Sequence, residues 1–358
     1  MAEDWRHVHE YYQLVGNNVK RVLESGTNVE PEDKHEIENI IPDLLTPGVT
    51  IGRYTNAQLH NDGIFSEVFK ATDPSKSNND GNKVVALKMT TPDMMTAPHD
   101  SKREARILQT AKSDHIIPLL ETFQQPGGHF ILVFPFMPFA LSTLLLHHHQ
   151  STLTNQTRRS IMRDIFTGLG HLHSLSIIHR DIKPSNILLR TPTGPAYLSD
   201  LGTAWSASDP SSEPPGQKTL EVGTTCYRAP ELLFGQQAYD SRLDLWATGC
   251  VAAQLFCLNQ QPLFDAGDLG SELALIKSMF ETLGTPNVQT WPEAAGLPDW
   301  GKMNFMVYSG KDWREILPGA QEEERDLVGK LVVFESGWRI TAREALKHEC
   351  LRVAEVNG

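Results

Sequence analysis

The chemistry this chain could perform is concentrated in His179-Arg180-Asp181-Ile182-Lys183-Pro184-Ser185-Asn186, followed by the apolar run Ile187-Leu188-Leu189. Asp181 and Asn186 stand five residues apart on what reads as one loop. There the Asp can accept the proton of a substrate hydroxyl while the Asn holds magnesium between the phosphates of ATP. Further on, Leu198-Ser199-Asp200-Leu201-Gly202 offers a second acidic loop suited to the metal. A lone His-Arg-Asp is usually a solvated basic turn; with Lys, Pro and Asn at fixed offsets the string is far more specific. Val84-Val85-Ala86-Leu87-Lys88 is an apolar strand ending in a lysine, by itself most simply a snorkelling side chain. It gains meaning because a helical stretch with Arg103-Glu104 follows. The 16 positions from Lys88 to Glu104 allow a connection and two helical turns.

The elements that must position these residues change character along the chain. Residues 1–50 mix aromatic and charged positions (Trp5, Tyr11, Tyr12) with an acidic stretch from Glu30 to Glu38, and read as a surface helix and loop. Strands are predicted at Tyr54 to Leu59, Ser66 to Ala71 and Val84 to Met89, with a polar hairpin loop from Asp73 to Lys83. Asp100 to Ala111 predicts a helix with Ile107, Leu108 and Ala111 on its apolar face. Further strands are expected at Ile116 to Thr122 and His129 to Phe134. Past Met137 the pattern is mainly helical, and Ala207 to Gln217, rich in Ser, Pro and Asp, reads as a mobile loop.

At 358 residues the chain can bury two sizeable cores. A formal charge of −12 argues against a nucleic-acid footprint. The uncharged run Phe130 to Leu146 is too short for a membrane span, which needs roughly 20 residues, and Pro135 and Pro138 break it. Four cysteines (Cys226, Cys250, Cys257, Cys350) form no C-x-x-C pair, which suits a reducing compartment. His147-His148-His149 reads as a solvated linker, since consecutive positions do not face one metal.

From about residue 54 to 352 the chain resembles the eukaryotic protein kinases, and within them the cyclin-dependent kinase-like (CMGC) branch. The branch motifs are Tyr227-Arg228-Ala229-Pro230-Glu231-Leu232, Asp244-Leu245-Trp246, Pro262-Leu263-Phe264, Phe280 to Asn287 and Trp291-Pro292-Glu293. The resemblance implies an α+β, two-lobed kinase fold. A small antiparallel-sheet lobe with one helix would span 51–137 and a mainly helical lobe 138–352, with ATP in the cleft between them and a tail at 353–358. It implies a serine/threonine kinase, because Lys183 lies two residues after Asp181. Asp181 would be the base and Lys183 would steady the phosphoryl group. Lys88 would contact phosphates and pair with Glu104, and Asn186 and Asp200 would bind Mg²⁺. ATP would be held further by Asn61 and Gly63 of the phosphate loop. Val68, Ala86 and Leu188 would sandwich the adenine, Phe134 would guard the back of the pocket, and Pro135 and Met137 would meet the adenine edge. Arg339 would pair with the Glu of Ala229-Pro230-Glu231.

Several positions depart from the family pattern. Asn61-Asp62-Gly63-Ile64-Phe65-Ser66-Glu67-Val68 keeps only the middle glycine of G-x-G-x-x-G-x-V; Asn tolerates left-handed backbone, so Asn61 would partly substitute. Leu201 replaces a Phe as an apolar plug. Pro98 to Glu104 puts Lys102 where a cyclin would bury an apolar side chain, and a buried unpaired lysine is costly. The expectation is therefore a monomer that needs no cyclin. Thr219 stands where the branch carries its activating phosphothreonine, with Arg103 and Arg180 present to gather the phosphate but Trp205 in place of a third arginine. Gly223 stands at the position that reads proline after the target. A non-cyclin helix and a degenerate phosphate loop resemble the fungal-type monomeric kinases that phosphorylate the activation loops of cyclin-dependent kinases. Partners would then be a protein substrate, with a cyclin-dependent kinase as the candidate, and no nucleic acid or membrane. The cell-cycle analogy implies cytoplasm and nucleus. The rival reading is a pseudokinase scaffold, motivated by the phosphate loop; against it, Lys88, Glu104, Asp181, Asn186 and Asp200 are all present.

Overall fold

The computed structural model describes residues 48–77, 80–146, 150–259 and 261–352. The expected N-terminal helix, the three consecutive histidines and the C-terminal tail lie outside them. Two compact units emerge. The first holds the described residues through Thr91 with Phe123–Ile131, and the second holds Pro92–Thr122 and everything from Leu132 onward.

The first unit is built on strands β1 (Val49–Ile51), β2 (Tyr54–Asp62), β3 (Ser66–Thr72) and β4 (Val84–Thr90). Consecutive members pair antiparallel. With β5 (Glu121–Gln125) and β6 (His129–Pro135) the sheet order is β1-β2-β3-β4-β6-β5. Alternation sets the faces: Val85, Leu87 and Met89 are buried, while Val84, Ala86 and Lys88 line the more open side. Gly52 turns β1 into β2 at φ +59, where an added Cβ would strike the Phe123 ring. The polar loop after β3 closes on itself, with Asp73 N–H donating to the Lys83 carbonyl (2.8 Å).

In the second unit, α1 (Ser101–Thr110) starts where the Asp100 side chain accepts from Arg103 N–H, an N-cap. Helix α2 (Leu141–Leu144) follows β7 (Phe139–Ala140), and α3 (Asn155–Ser174) is capped by Thr154. The functional loops hang from short strands: β8 (Ile177–Ile178), β9 (Ile187–Leu189), β10 (Ala196–Leu198) and β11 (Trp205–Ser206). Then come α4 (Pro230–Leu233), α5 (Arg242–Cys257), α6 (Glu272–Leu283), α7 (Trp313–Ile316), α8 (Glu322–Leu331) and α9 (Ala342–Ala345). Helix α5 is buried almost all round, which marks it as the spine of this unit. Beside it the motif aromatics interlock: Trp246 stacks on Phe264 (5.5 Å), Phe234 meets Trp291 edge-on (5.4 Å), and Phe280 meets Phe334 (5.8 Å).

Two expectations are corrected. Ile116 and Ile117 are not in a regular strand, which begins only at Glu121. They turn inward, 2% and 3% exposed, and Ile117 N–H donates to the Leu198 carbonyl, with Pro118 interrupting any ladder. The segment Ala207 to Gln217 is pinned rather than loose: Arg106 grips Asp209 with two bonds (2.7 and 3.0 Å) and Ser211 donates to Asp100 (3.1 Å). Helix α1 falls in the second unit, with Pro92–Thr122.

Candidate active site

Asp181 is the hub of the site. Its Oδ2 lies 2.8 Å from Lys183 Nζ and accepts from Asn186 Nδ2 at 3.0 Å. Its Oδ1 accepts from both the backbone N–H (3.0 Å) and the hydroxyl (2.9 Å) of Thr224, and Lys183 Nζ donates to that same hydroxyl at 2.8 Å. One carboxylate is thus surrounded by an amine, an amide and a hydroxyl that fix its orientation. Thr224 is a component that motif reading did not single out; it lies six residues before the Pro230-Glu231 pair, and nothing local marks it.

The loop is held from below by Asp244, which is fully buried on α5 and accepts the backbone N–H groups of His179 and Arg180, both at 2.9 Å. His173 Nε2 approaches the same carboxylate at 2.9 Å. Burial alone would raise the Asp244 carboxyl; the bond and charge of His173, with His179, hold it below the ordinary range instead. His179 also reaches the Ser199 carbonyl (3.0 Å), tying the Asp181 loop to the Asp200 loop. Arg180 and Asp200 sit at φ +69 and +59, left-handed values that non-glycine residues adopt only where surroundings compel them.

Magnesium would be held through oxygen. Asn186 donates its amide nitrogen to the Asp181 carbonyl (2.8 Å) and carboxylate, which leaves the amide oxygen for a cation. Asp200 is exposed at the end of the β10 loop. An amide oxygen and a carboxylate form a hard donor pair that fits Mg²⁺, an ion that completes its shell with phosphate and water. Among the described residues no three His, Cys, Asp or Glu side chains form a self-contained metal cage.

The structure brings Asp181, Lys183 and Asn186 together on one loop. Lys88 lies on β4 of the first unit opposite Val68 on β3, with Ala86 on the same face. Glu104 is 1% exposed on the first turn of α1 in the second unit. Phe134, Pro135 and Met137 are buried along the end of β6 and the segment after it, and Leu188 is half-buried on β9. Asn61 pairs with Val68 in extended backbone, so the left-handed latitude expected of it is unused, and Gly63 N–H donates to the Ser66 carbonyl (2.9 Å). Arg103 and Arg180 do meet, but on Glu213 rather than Thr219, whose hydroxyl accepts from Glu221 N–H (3.2 Å). Arg339 forks onto Glu231 with bonds of 2.6 and 2.7 Å.

The second unit thus carries an Asp whose carboxylate is bonded by an Asn and lies beside a Lys on one loop. The protein kinase domain model matches residues 54–351, and the chain belongs to the protein kinase family. It is similar to serine/threonine-protein kinase csk1 of Schizosaccharomyces pombe, 36% identical over 76% of this chain and 86% of that protein. Human cyclin-dependent kinase 20 is 34% identical over 70% of each chain. Cyclin-dependent kinase D-1 of Arabidopsis thaliana is 31% identical over 84% of this chain and 72% of that one. The chain is accordingly a serine/threonine protein kinase of the cyclin-dependent kinase-like branch, and the scaffold-only reading is not favoured.

Proposed function

We propose that this kinase works as a cyclin-free monomer that phosphorylates the activation-loop threonine of a cyclin-dependent kinase, using ATP and Mg²⁺. The observation that carries the catalytic reading is the intact Asp181–Lys183–Asn186–Thr224 cluster. Asp181 takes the proton of the substrate hydroxyl as its oxygen bonds to the terminal phosphorus of ATP and the bond from that phosphorus to the bridging oxygen breaks, releasing ADP. Lys183 offsets charge on the transferring group, and the Thr224 hydroxyl keeps Lys183 and Asp181 in register. Asn186 and Asp200 would hold magnesium, which would supply charge neutralisation and orientation of the phosphates. By the family resemblance, Asn61, Gly63, Val68, Ala86 and Lys88 of the first unit would each serve the nucleotide, as would Glu104, Phe134, Pro135, Met137 and Leu188 of the second.

Cyclin independence draws support from α1. Lys102 is exposed, and a charged side chain there disfavours an apolar partner. The helix is moreover fastened by its own chain: Asp100 N–H donates to the Gly202 carbonyl (3.0 Å), and Arg106 and Arg103 engage Asp209 and Glu213. An external partner is not needed to seat it. A glycine, Gly223, at the position that reads the residue after the target motivates a target threonine not followed by proline. The cell-cycle role assigns the enzyme to cytoplasm and nucleus, which a fluorescent fusion would check.

The test is phosphate transfer by the purified chain with magnesium-ATP to a catalytically dead cyclin-dependent kinase and to a Ser-Pro peptide, with Asp200→Ala as blank. Transfer to the activation-loop threonine without cyclin is the expected result. Transfer to the peptide alone would return the enzyme to the proline-directed majority, and a stable cyclin complex from native extract would remove the cyclin-free reading.

A further inference from the structure

The segment after Asp200 carries an acidic residue, Glu213, at the place where two deeply buried cations need one. Arg180 and Arg103 are 1% and 3% exposed. Glu213 Oε1 accepts from Arg180 Nη1 at 3.0 Å, and Oε2 lies 3.9 Å from Arg103 Nη1. Arg180 is locked in turn by bonds from Nε to the Thr203 carbonyl (2.5 Å) and from Nη1 to Tyr239 Oη (3.1 Å). Two guanidinium groups this close repel, and Arg103 is pushed down from its ordinary value by burial and by Arg180. An anion is therefore required here. Burial would raise the Glu213 carboxyl, but a hydrogen bond from its own backbone N–H and the charges of Arg180 and Arg103 keep it low and ionised.

The unusual Trp205 belongs to the same device. Its indole N–H donates to the Glu213 backbone carbonyl at 2.8 Å, so the residue that stands in place of a third arginine holds the residue that supplies the charge. Lys218, 3% exposed, lies over the Trp205 ring (4.8 Å) and donates to the Tyr239 carbonyl (2.7 Å). Thr219 stands aside: its carbonyl accepts from Tyr239 Oη (2.8 Å) and its hydroxyl from Glu221. A phosphate carrying nearly two charges suits three arginines; a carboxylate with one suits two.

We propose that Glu213 is a positioning residue of the kinase reaction, a carboxylate encoded in the chain that gathers Arg180 and Arg103 and sets the Asp181 loop and α1 without phosphorylation of Thr219. The proposal rests on the kinase reading above. Glu213 acts through Arg180, whose backbone N–H is bonded to Asp244 and whose neighbour is Asp181. Lowering the order of Arg180 lowers the fraction of molecules with Asp181 in place, which reduces turnover more than nucleotide binding.

The experiment uses the full chain, phosphatase-treated and shown by intact mass to carry no phosphate, beside Glu213→Gln, Glu213→Asp and the Asp200→Ala blank. Unphosphorylated wild type should transfer phosphate as well as untreated protein. Glu213→Gln, which keeps shape and removes charge, should lose about tenfold or more in kcat with KM for ATP changed less than about twofold. Glu213→Asp should recover part of that loss, which a mere packing defect would not. Hydrogen exchange over residues 203–222 should rise in Glu213→Gln and fall back in Glu213→Asp. Loss of wild-type transfer on phosphatase treatment, or Glu213→Gln indistinguishable from wild type in exchange, overturns the proposal. Absence of transfer above the blank before and after phosphatase would count against the kinase reading alone; the exchange rates still decide whether Glu213 organises the segment.

Discussion

At the scale of single residues, Asp181 illustrates how a reactive carboxylate is prepared by its neighbours. Thr224 and Asn186 donate to it and Lys183 stands beside it, so a substitution that keeps its volume isolates the loss of the carboxylate we propose as the proton acceptor. Asp181→Asn should lower kcat by about 10²–10⁴-fold while ATP binding stays near wild type, read from steady-state kinetics and a nucleotide titration. The four thiols behave in the opposite sense. Burial pushes Cys350 up to about 12, and raises Cys226, Cys250 and Cys257 as well. A raised pKa leaves little thiolate at neutral pH, so alkylation of native protein by iodoacetamide should be slow at all four and accelerate on adding denaturant. Cys226, three residues after Gly223, is half-buried and is held back by the same cause.

At the scale of elements, the bidentate pair between Glu231 and Arg339 fastens α4 to the turn before α9. Both side chains are essentially buried, and Arg339 also donates to the Val333, Phe334 and Arg242 carbonyls (2.9, 3.0 and 3.1 Å). Removing one partner strands the other charge. Glu231→Gln or Arg339→Met should each destabilise by roughly 3–5 kcal/mol, while an apolar double replacement should cost less than the sum. Denaturant midpoints of the three proteins would show this. The Arg106–Asp209 pair has equally short bonds but a half-exposed arginine, so Asp209→Asn should cost no more than about 1 kcal/mol. Burial, rather than bond length, ranks the two.

At the scale of the whole molecule, the same carboxylates set its response to acid. Glu213 and Asp244 both titrate below their ordinary values of 4.5 and 3.8, so the folded state favours their charged forms. Stability from a depressed carboxyl is complete above its unfolded value and is lost as pH falls through the folded one. Melting temperature should therefore be nearly flat from about pH 8 to pH 5 and fall below about pH 4, and Glu213→Gln should make that acid limb shallower. Burial lowers Arg103 and Lys218 beside Glu213 from ordinary values of 12.5 and 10.5, which lie far above this acid limb.

Much of this was legible from the chain alone, because motifs on a single loop are local. Asp181, Lys183 and Asn186 lie within six residues of one another, and their contacts follow from that spacing once the loop forms. Strands β2 to β4 follow from alternation, and α1 from its Asp100 cap and apolar face. Other features depend on distant partners and have no local signature. Thr224 reaches Asp181 across 43 positions. The run Ala207 to Gln217 looks featureless until Arg106, 103 positions upstream, meets Asp209. Ile116 and Ile117 have strand composition, yet a bond to Leu198 and the following Pro118 draw them out of regular pairing. Residue types and their spacing on the chain thus determined the reaction this protein is equipped for. Which carboxylate faces Arg180 and Arg103 was decided only by tertiary structure, because a buried charge takes the partner that folding brings to it.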